Sequence, residues 1–246
     1  MKKYAFLSAV ALCAALATPA AAAPGLGGKV YGARIEKGVT EVEMRYGRLS
    51  GDAADGEDAA VLELSHGFTD NFLAGVLVET EREPHESRKV EAYSIETIGH
   101  IGRVDSLGLD IALYGEYEAV RHGADEIEAK LLLQHTKGPF DARLNLKFGK
   151  ELEKGEPVEL GYAVSADWAA FGEFRFGAEA FGNLGTTKDF LPRDEHFAGP
   201  MVRTELEHLP GDGELEIEAG YLFALGKSRD ETNGQLRLVL EYEFHF

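Results

Sequence analysis

The last twelve residues of the chain, QLRLVLEYEFHF at 235–246, constrain the fold more than any other stretch. Side chains along a β-strand point alternately to its two faces. Leucine, tyrosine and phenylalanine occupy every even position from 236 to 246, and mostly charged or polar residues occupy the odd positions. Such an apolar stripe at a free chain end would fray in water, whereas a bilayer solvates it when the strand is paired on both sides. The stretch therefore predicts a membrane-spanning strand.

This segment resembles the closing strand of Gram-negative outer-membrane β-barrels, which typically ends in Phe with aromatic residues at alternate positions. In that family the terminal strand is also read by the barrel-insertion machinery, so the resemblance implies that machinery as a partner of the strand ending at Phe246. GYLFALG at 220–226 and LEYEFHF at 240–246 also resemble a widespread group of uncharacterised porin-like proteins of Gram-negative bacteria. That resemblance implies a barrel in the outer membrane, in contact with its lipid, and leaves the solute open.

The first residues have the pattern of a secretory signal peptide. Lys2 and Lys3 precede a short apolar run at 6–16, and four alanines at 20–23 offer small residues for cleavage. We expect a signal peptide at 1–22, a periplasmic segment at 23–38 and a barrel at 39–246. Cleavage would remove Cys13, the only cysteine, so we expect no disulfide in the mature chain.

The charge balance is strongly acidic. The net charge is −18, and without Lys2 and Lys3 the bases fall from 25 to 23 against 43 acids, which gives about −20. Nucleic-acid binding needs clustered lysine and arginine, so this balance argues against a nucleic-acid partner. It suits small cationic or neutral solutes. No motif indicates a cofactor, and we expect none.

Alternation of apolar and polar residues predicts strands through the rest of the chain, with turn residues between them. The predicted strands are 39–49, 58–68, 72–81, 90–104, 107–120, 126–136, 140–152, 158–168, 173–182, 200–209, 214–225 and 235–246. Their number is even and their connections alternate between short and longer, as in bacterial outer-membrane barrels. We therefore predict an all-β fold, a transmembrane antiparallel β-barrel of about 12 strands, with 10 or 14 as alternatives. A soluble β-sandwich shares the period-two pattern but does not explain the signal peptide, terminal Phe and loop alternation together.

In a membrane barrel the apolar face points to lipid, so the charged face lines the lumen. Acids outnumber bases on that face. The predicted pore-lining residues are Glu96, Asp110, Glu116, Glu118, Glu128, Lys130, Arg143, Glu159, Arg175, Glu179, Arg203, Glu205, Glu216, Glu218, Arg237 and Glu241. Two interpretations stay open: the charges pair in a packed polar plug, or unpaired acids create a field that concentrates cations.

Other chemistries have weaker sequence support. His66, Ser94, His100 and His135 are the polar pieces from which an outer-membrane lipid enzyme could be built, but no motif connects them. We therefore expect no catalytic residue. Asp194, Glu195 and His196 in the longest predicted outer loop are weak metal-ligand candidates, because their spacing matches no defined metal motif.

The sequence thus predicts a porin-like outer-membrane channel for passive, cation-favouring diffusion of small solutes through an acidic lumen. The alternative is a non-conducting barrel whose acidic outer loops bind a metal or a partner. A lipid-modifying enzyme is the third hypothesis.

Overall fold

The computed structural model describes Ala23 and residues 25–191, 195–209 and 213–245, and these contain twelve β-strands. The strands are β1 (Val39–Ser50), β2 (Asp58–Thr69), β3 (Phe72–Arg82), β4 (Lys89–Val104), β5 (Leu109–Val120), β6 (Glu126–Lys137), β7 (Phe140–Glu151), β8 (Glu159–Phe171), β9 (Phe174–Thr186), β10 (His196–Leu209), β11 (Gly213–Leu225) and β12 (Gly234–His245). Short 3₁₀ turns at Asp52–Ala54 and Gly226–Asp230 lie in the connections.

Each strand pairs antiparallel with its neighbours in sequence, and β1 pairs with β12 to close the barrel. The closing pair runs in unbroken register from Val39 opposite His245 to Ser50 opposite Gly234. Closure leaves no edge strand, so every strand finds backbone partners on both sides. The predicted 12-stranded antiparallel barrel is confirmed.

The connections alternate in length as the sequence predicted. Tight connections follow β2, β4, β6, β8 and β10, and define the short-turn end of the barrel. Longer loops at 51–57, 83–88, 121–125, 152–158, 187–195 and 226–233 define the long-loop end. Strand β1 starts and β12 ends at the short-turn end, which in bacterial outer-membrane barrels faces the periplasm.

The two faces of the sheet are inverted relative to a water-soluble protein. Leu62, Leu64 and Ile95 are 50–61% exposed on the outer face. Glu63 and Glu96, next to them in sequence, are 4% and 0% exposed inside the barrel. An apolar exterior around a charged interior is what a bilayer requires of a barrel. No helix among the described residues is long and apolar enough to cross a membrane.

The main departure in strand bounds is at β9 and β10. The sequence predicted a loop at 183–198, but β9 continues to Thr186 and β10 begins at His196. Pro200, where the prediction started β10, lacks a backbone N–H and pairs only toward β9, opposite Ala178. The strand therefore passes through the proline. Phe246 and the signal peptide at 1–22 lie outside the described residues.

The N-terminal segment, residues 25–38, lies inside the barrel, whereas we expected residues 23–38 to form a periplasmic segment. The Gly38 amide donates to the Gly67 carbonyl at 2.7 Å, at the short-turn end. From there the segment runs up the lumen until Leu26 packs with Leu49, near the long-loop end. The sequence missed this course because the segment has no strand or helix pattern of its own.

Side chains of the barrel wall satisfy the backbone of the N-terminal segment. Asn145 accepts from the Tyr31 amide at 2.7 Å and donates to the Tyr31 carbonyl at 3.0 Å. Gln134 accepts from the Ala33 amide at 2.9 Å. Arg237 donates to the carbonyls of Gly25 and Gly28. A buried chain without secondary structure needs such partners, so the wall is built to hold this segment.

Two inward-facing glycines make room for the same segment. A Cβ at Gly47 of β1 would come within 2.9–3.0 Å of the Leu26 backbone. A Cβ at Gly67 of β2 would collide with the carbonyl oxygen of Glu36. At both positions a larger residue would push the segment away from the wall.

Because the outer face of the barrel is apolar, a charged side chain placed on it should lower the stability of the barrel. We expect Leu64→Arg, midway along β2, to destabilise the barrel by about 2–4 kcal/mol, because it puts a charge in the hydrocarbon. Leu107→Arg, in the exposed β4–β5 turn, is the matched control, with an expected cost of about 0–1 kcal/mol. Guanidinium unfolding in phospholipid vesicles measures both. Equal costs would contradict the assignment of β2's outer face to lipid.

The Asn145 contacts predict how firmly the segment is held. Asn145→Ala leaves the buried Tyr31 amide without its acceptor, which costs about 1–3 kcal/mol. We expect amide hydrogen exchange in the peptide 25–38 to become about tenfold faster, since 1.4 kcal/mol is a factor of ten. Asn183→Ala, whose side chain contacts Glu195 near the long-loop end, is the control and should leave that peptide unchanged. Equal exchange in both variants would mean that the wall does not hold the segment.

Candidate functional site

The lumen is the candidate site, and its central contact is Lys29 of the N-terminal segment. The Lys29 ammonium lies 3.1 Å from Glu43, 3.5 Å from Glu63 and 3.6 Å from Glu241. The Lys29 side chain is only 14% exposed, so the three carboxylates rather than water stabilise its charge. Lys29 is therefore held as a buried cation among acids of three different strands.

Tyr31, two residues further on, fastens the segment to β1, β4 and β5. Its hydroxyl donates to Glu96 at 3.0 Å and accepts from Arg45 at 3.0 Å. Its ring lies 4.7 Å from the Tyr114 ring, and the Lys130 ammonium lies 4.0–4.3 Å from both ring centres. These contacts combine a charge-assisted hydrogen bond with cation–π attraction in a site shielded from water.

Apolar side chains line parts of the inner face and pack on the segment. Leu26 and Val30 join one buried cluster, with Leu49, Ala59, Phe181, Phe197, Leu222 and Ala224. Tyr31 and Ala33 join a second, with Leu73, Ile98, Ala112, Tyr114 and Leu132. Apolar residues on the inner face of a charged barrel are the sequence signal that could have revealed the segment's position. The alternation of apolar and polar residues had predicted only a polar inner face.

The predicted pore-lining residues occupy the inner face, with different degrees of burial. Seven are buried: Glu96, Asp110, Glu128, Glu179, Arg203, Glu218 and Arg237. Eight are partly buried: Glu116, Glu118, Lys130, Arg143, Arg175, Glu205, Glu216 and Glu241. Glu159 lies exposed at the long-loop rim. Whether this face lines an open pore stays a prediction, because the N-terminal segment occupies the space that these residues surround.

The basic residues of the inner wall are all engaged by acids, in local groups rather than in one network. Arg203 contacts Glu218 at 2.7 Å and Arg237 contacts Glu179 at 3.1 Å, and both pairs are buried. The other inner-wall bases also contact acids: Arg45 with Glu43 and Glu63, Lys130 and Lys147 with Glu128, Arg143 with Asp141, Arg175 with Asp167, and Arg103 with Asp110. The polar-plug interpretation of the sequence is thus correct for the bases.

Five glutamates directly oppose one another across five neighbouring strands, and we call them the glutamate row. In register order they are Glu63 of β2, Glu43 of β1, Glu241 of β12, Glu216 of β11 and Glu205 of β10. Like charges in directly opposed positions are destabilising unless cations lie between them. Lys29 contacts the first three, Arg45 contacts Glu43 and Glu63, and Arg203 contacts Glu216.

Several acids, including Glu205 of the row, have no basic side chain within ion-pair distance among the described residues. Examples are Glu79, Glu81, Glu118 and Glu126 toward the long-loop end, and Glu205, Glu214 and Glu243 toward the short-turn end. Glu205, Glu214, Glu216 and Glu243 line a cavity of about 50 Å³. An adjoining cavity of about 90 Å³ includes Arg175, Arg203 and Glu173. Each has room for only a few water molecules, since one water takes about 30 Å³ of liquid.

The four polar pieces considered for an enzyme do not converge. Ser94 and His100 are on the inner face of β4. His66, which packs edge-on against the exposed Phe68, and His135 are on the outer faces of β2 and β6. The sheet therefore separates the two pairs, and they form no nucleophile–base arrangement.

The weak metal-ligand candidates do not form a metal site within the described residues. Asp194 lies outside the described residues. Glu195 accepts from Asn183 at 2.5 Å, and His196 stacks on Tyr162 at 5.9 Å. Within the described ranges no three His, Cys, Asp or Glu residues are grouped to hold a metal ion.

No protein-family model matches the chain, and no curated protein is similar to it in sequence. Solved structures with a similar fold include the COG4313 outer membrane channel from Pseudomonas putida F1, at 11% identity and a TM-score of 0.59, covering 86% of this chain and 97% of that one. The NanC porin is 11% identical with a TM-score of 0.56, covering 83% and 100%. The KdgM porin in complex with disordered oligogalacturonate is 12% identical with a TM-score of 0.55, covering 84% and 99%.

At these identities the likeness establishes the fold. It confirms the predicted resemblance to outer-membrane β-barrels in fold, and the apolar exterior of this chain fits the predicted place of the barrel in a membrane. The chain is a 12-stranded barrel with the fold of outer-membrane porins.

Proposed function

We propose that the protein is a porin-like channel of the outer membrane that favours small cationic solutes. The observation that carries the proposal is the glutamate row together with the unpaired acids at both ends of the lumen. Carboxylates without a matching base inside a barrel of low dielectric constant attract cations and repel anions. The fold shared with porins supports the channel part of the proposal. The preference for positively charged solutes rests on this chain's own charges.

The N-terminal segment sets the condition for conduction. It fills the middle of the lumen with side chains and backbone, where Lys29, Tyr31 and Ala33 contact the surrounding wall. Passage of a solute therefore requires the segment to move out of the way. Its contacts with the wall include hydrogen bonds and ion pairs, which water and mobile ions can replace when the segment leaves, and apolar packing of Leu26, Val30 and Ala33, which they cannot.

The presence of the N-terminal segment in the lumen also favours the second candidate, a barrel that does not conduct. If the segment stays in place, the inner charges serve only to hold it and to stabilise the barrel. The alternative then assigns any binding function to the acidic outer loops. A conductance measurement separates the two candidates, because only the channel requires ions to pass.

We expect the mature protein in a planar bilayer to show small conductance with a cation-favouring reversal potential under a potassium chloride gradient. A variant lacking residues 25–34 should conduct severalfold more, because the obstruction is gone. Gly47→Val should act in the same direction, since its side chain would displace Leu26. This point variant keeps the test informative where the deletion impairs folding. Silence of all three folded proteins would reject the channel in favour of the non-conducting barrel.

Selectivity is tested on acids that no base neutralises. Changing both Glu118 and Glu205 to Gln should move the reversal potential toward zero, because the lumen loses uncompensated negative charge. Glu128 and Glu218 are less informative targets, since each is already paired with inner bases. Glu156→Gln, in the exposed loop after β7, is the control. An anion-favouring potential in the unaltered protein would reject the acidic-lumen hypothesis.

A further inference from the structure

The glutamate row already holds a primary ammonium, that of Lys29. The barrel wall supplies the three carboxylates, from β1, β2 and β12, whereas the cation comes from a segment without secondary structure. Glu43 and Glu63 have side chains only 1% and 2% exposed. Their Oε1 and Oε2 atoms, respectively, accept no hydrogen bond from the described residues and lie 3.4 Å and 3.3 Å from the Arg45 guanidinium. The wall therefore supplies all the carboxylates of this site, and the segment supplies only the cation, Lys29.

The balance of charge at this site depends on Lys29. With the segment in place, Lys29 and Arg45 face Glu43, Glu63 and Glu241. If the segment leaves, Arg45 alone remains against the same three acids. Buried carboxylates left without a counter-charge are strongly unfavourable, so another cation must take the position.

Resting on the proposed channel function, we infer that the glutamate row is a binding site for aliphatic primary amines, and that such an amine displaces the N-terminal segment by replacing Lys29. The N-to-O distances of 3.1–3.6 Å are those of an ammonium among carboxylates. A hard metal ion would need oxygen ligands at about 2.0–2.6 Å. An alkylammonium chain also matches the narrow space that an extended polypeptide vacates.

The rest of the row favours amines with more than one ammonium. Neighbouring strands lie about 4.8 Å apart, so the row continues from Glu241 to Glu216 and Glu205 in steps of that size. Glu205 has no basic partner among the described residues, and Glu216 faces Arg203 at 3.2 Å. A second ammonium of a flexible di- or polyamine would find its acceptor there. Spermidine is therefore the probe of choice.

Lys29 and the amine compete for one site, and this competition makes the inference testable. A tethered lysine acts as a competitor at an effective concentration in the millimolar range. Removing it should therefore tighten amine binding, because the competitor is gone and its positive charge no longer repels the amine. A merely structural Lys29 would give no such gain.

The experiment measures spermidine binding by titration calorimetry, and hydrogen exchange of the peptide 25–38, in the refolded mature protein. We expect spermidine to accelerate exchange of that peptide, and Lys29→Met to bind spermidine at least about tenfold more tightly than the unaltered protein. Lys147→Met removes an inner lysine that contacts Glu128 instead of the row, and should not tighten binding. Glu241→Gln, which is partly exposed and so less disruptive than Glu43 or Glu63, should weaken it.

Two salt controls separate recognition from screening. Sodium chloride and tetramethylammonium chloride are used at the ionic strength of the spermidine solution, because the quaternary ion carries charge without N–H donors. Acceleration by spermidine alone supports the inference. Equal acceleration by all three salts, or no gain in affinity with Lys29→Met, overturns it.

The channel is measured separately in potassium chloride on the same preparations. Conductance without any amine effect would reject the amine site alone. Amine binding to a barrel that never conducts would reject the channel and, with it, the transport role of the site.

Discussion

Closure of the sheet by the β1–β12 pair is the constraint on which the rest of the molecule depends. Twelve successive residue pairs join the two strands, so the sheet has no edge and its backbone is satisfied wherever lipid surrounds it. Once the sheet is closed, the outer face must be apolar and the polar face must be enclosed. The high charge of this chain is then concentrated in a narrow interior, where every charge needs a partner or water.

The wall and the N-terminal segment solve this problem together. Most inner bases form ion pairs with nearby acids, as Arg203, Arg237, Lys130 and Lys147 do. The glutamate row has too few wall bases for its five carboxylates, and Lys29 supplies the missing cation. In return, Asn145, Gln134 and Arg237 give hydrogen-bond partners to a backbone that has few of its own. Barrel and segment are therefore complementary, although a change of counter-ion could separate them.

Structures with the porin fold share the barrel, and the proposed solute preference comes from the charges of this chain. An acid-rich interior favours cations, and an internal lysine indicates which cation. In the channel that we propose, the same carboxylates bind the segment that blocks the lumen and the solute that passes through it. Occlusion and selectivity are then one property of the glutamate row.

The sequence by itself determined the strands, the inversion of the faces and the alternation of loops, because each follows from local spacing. It predicted eleven of the twelve strand starts to within two residues, and missed the start of β10 because Pro200 resembles a strand boundary. It also assigned inward charges such as Glu96 and Glu218 to the interior face. Only the tertiary structure decided that residues 25–38 enter the lumen, and that Glu63, Glu43 and Glu241 oppose one another. Both depend on the register between strands that closure fixes, and on contacts between residues up to more than 200 positions apart in the chain, which no local pattern encodes.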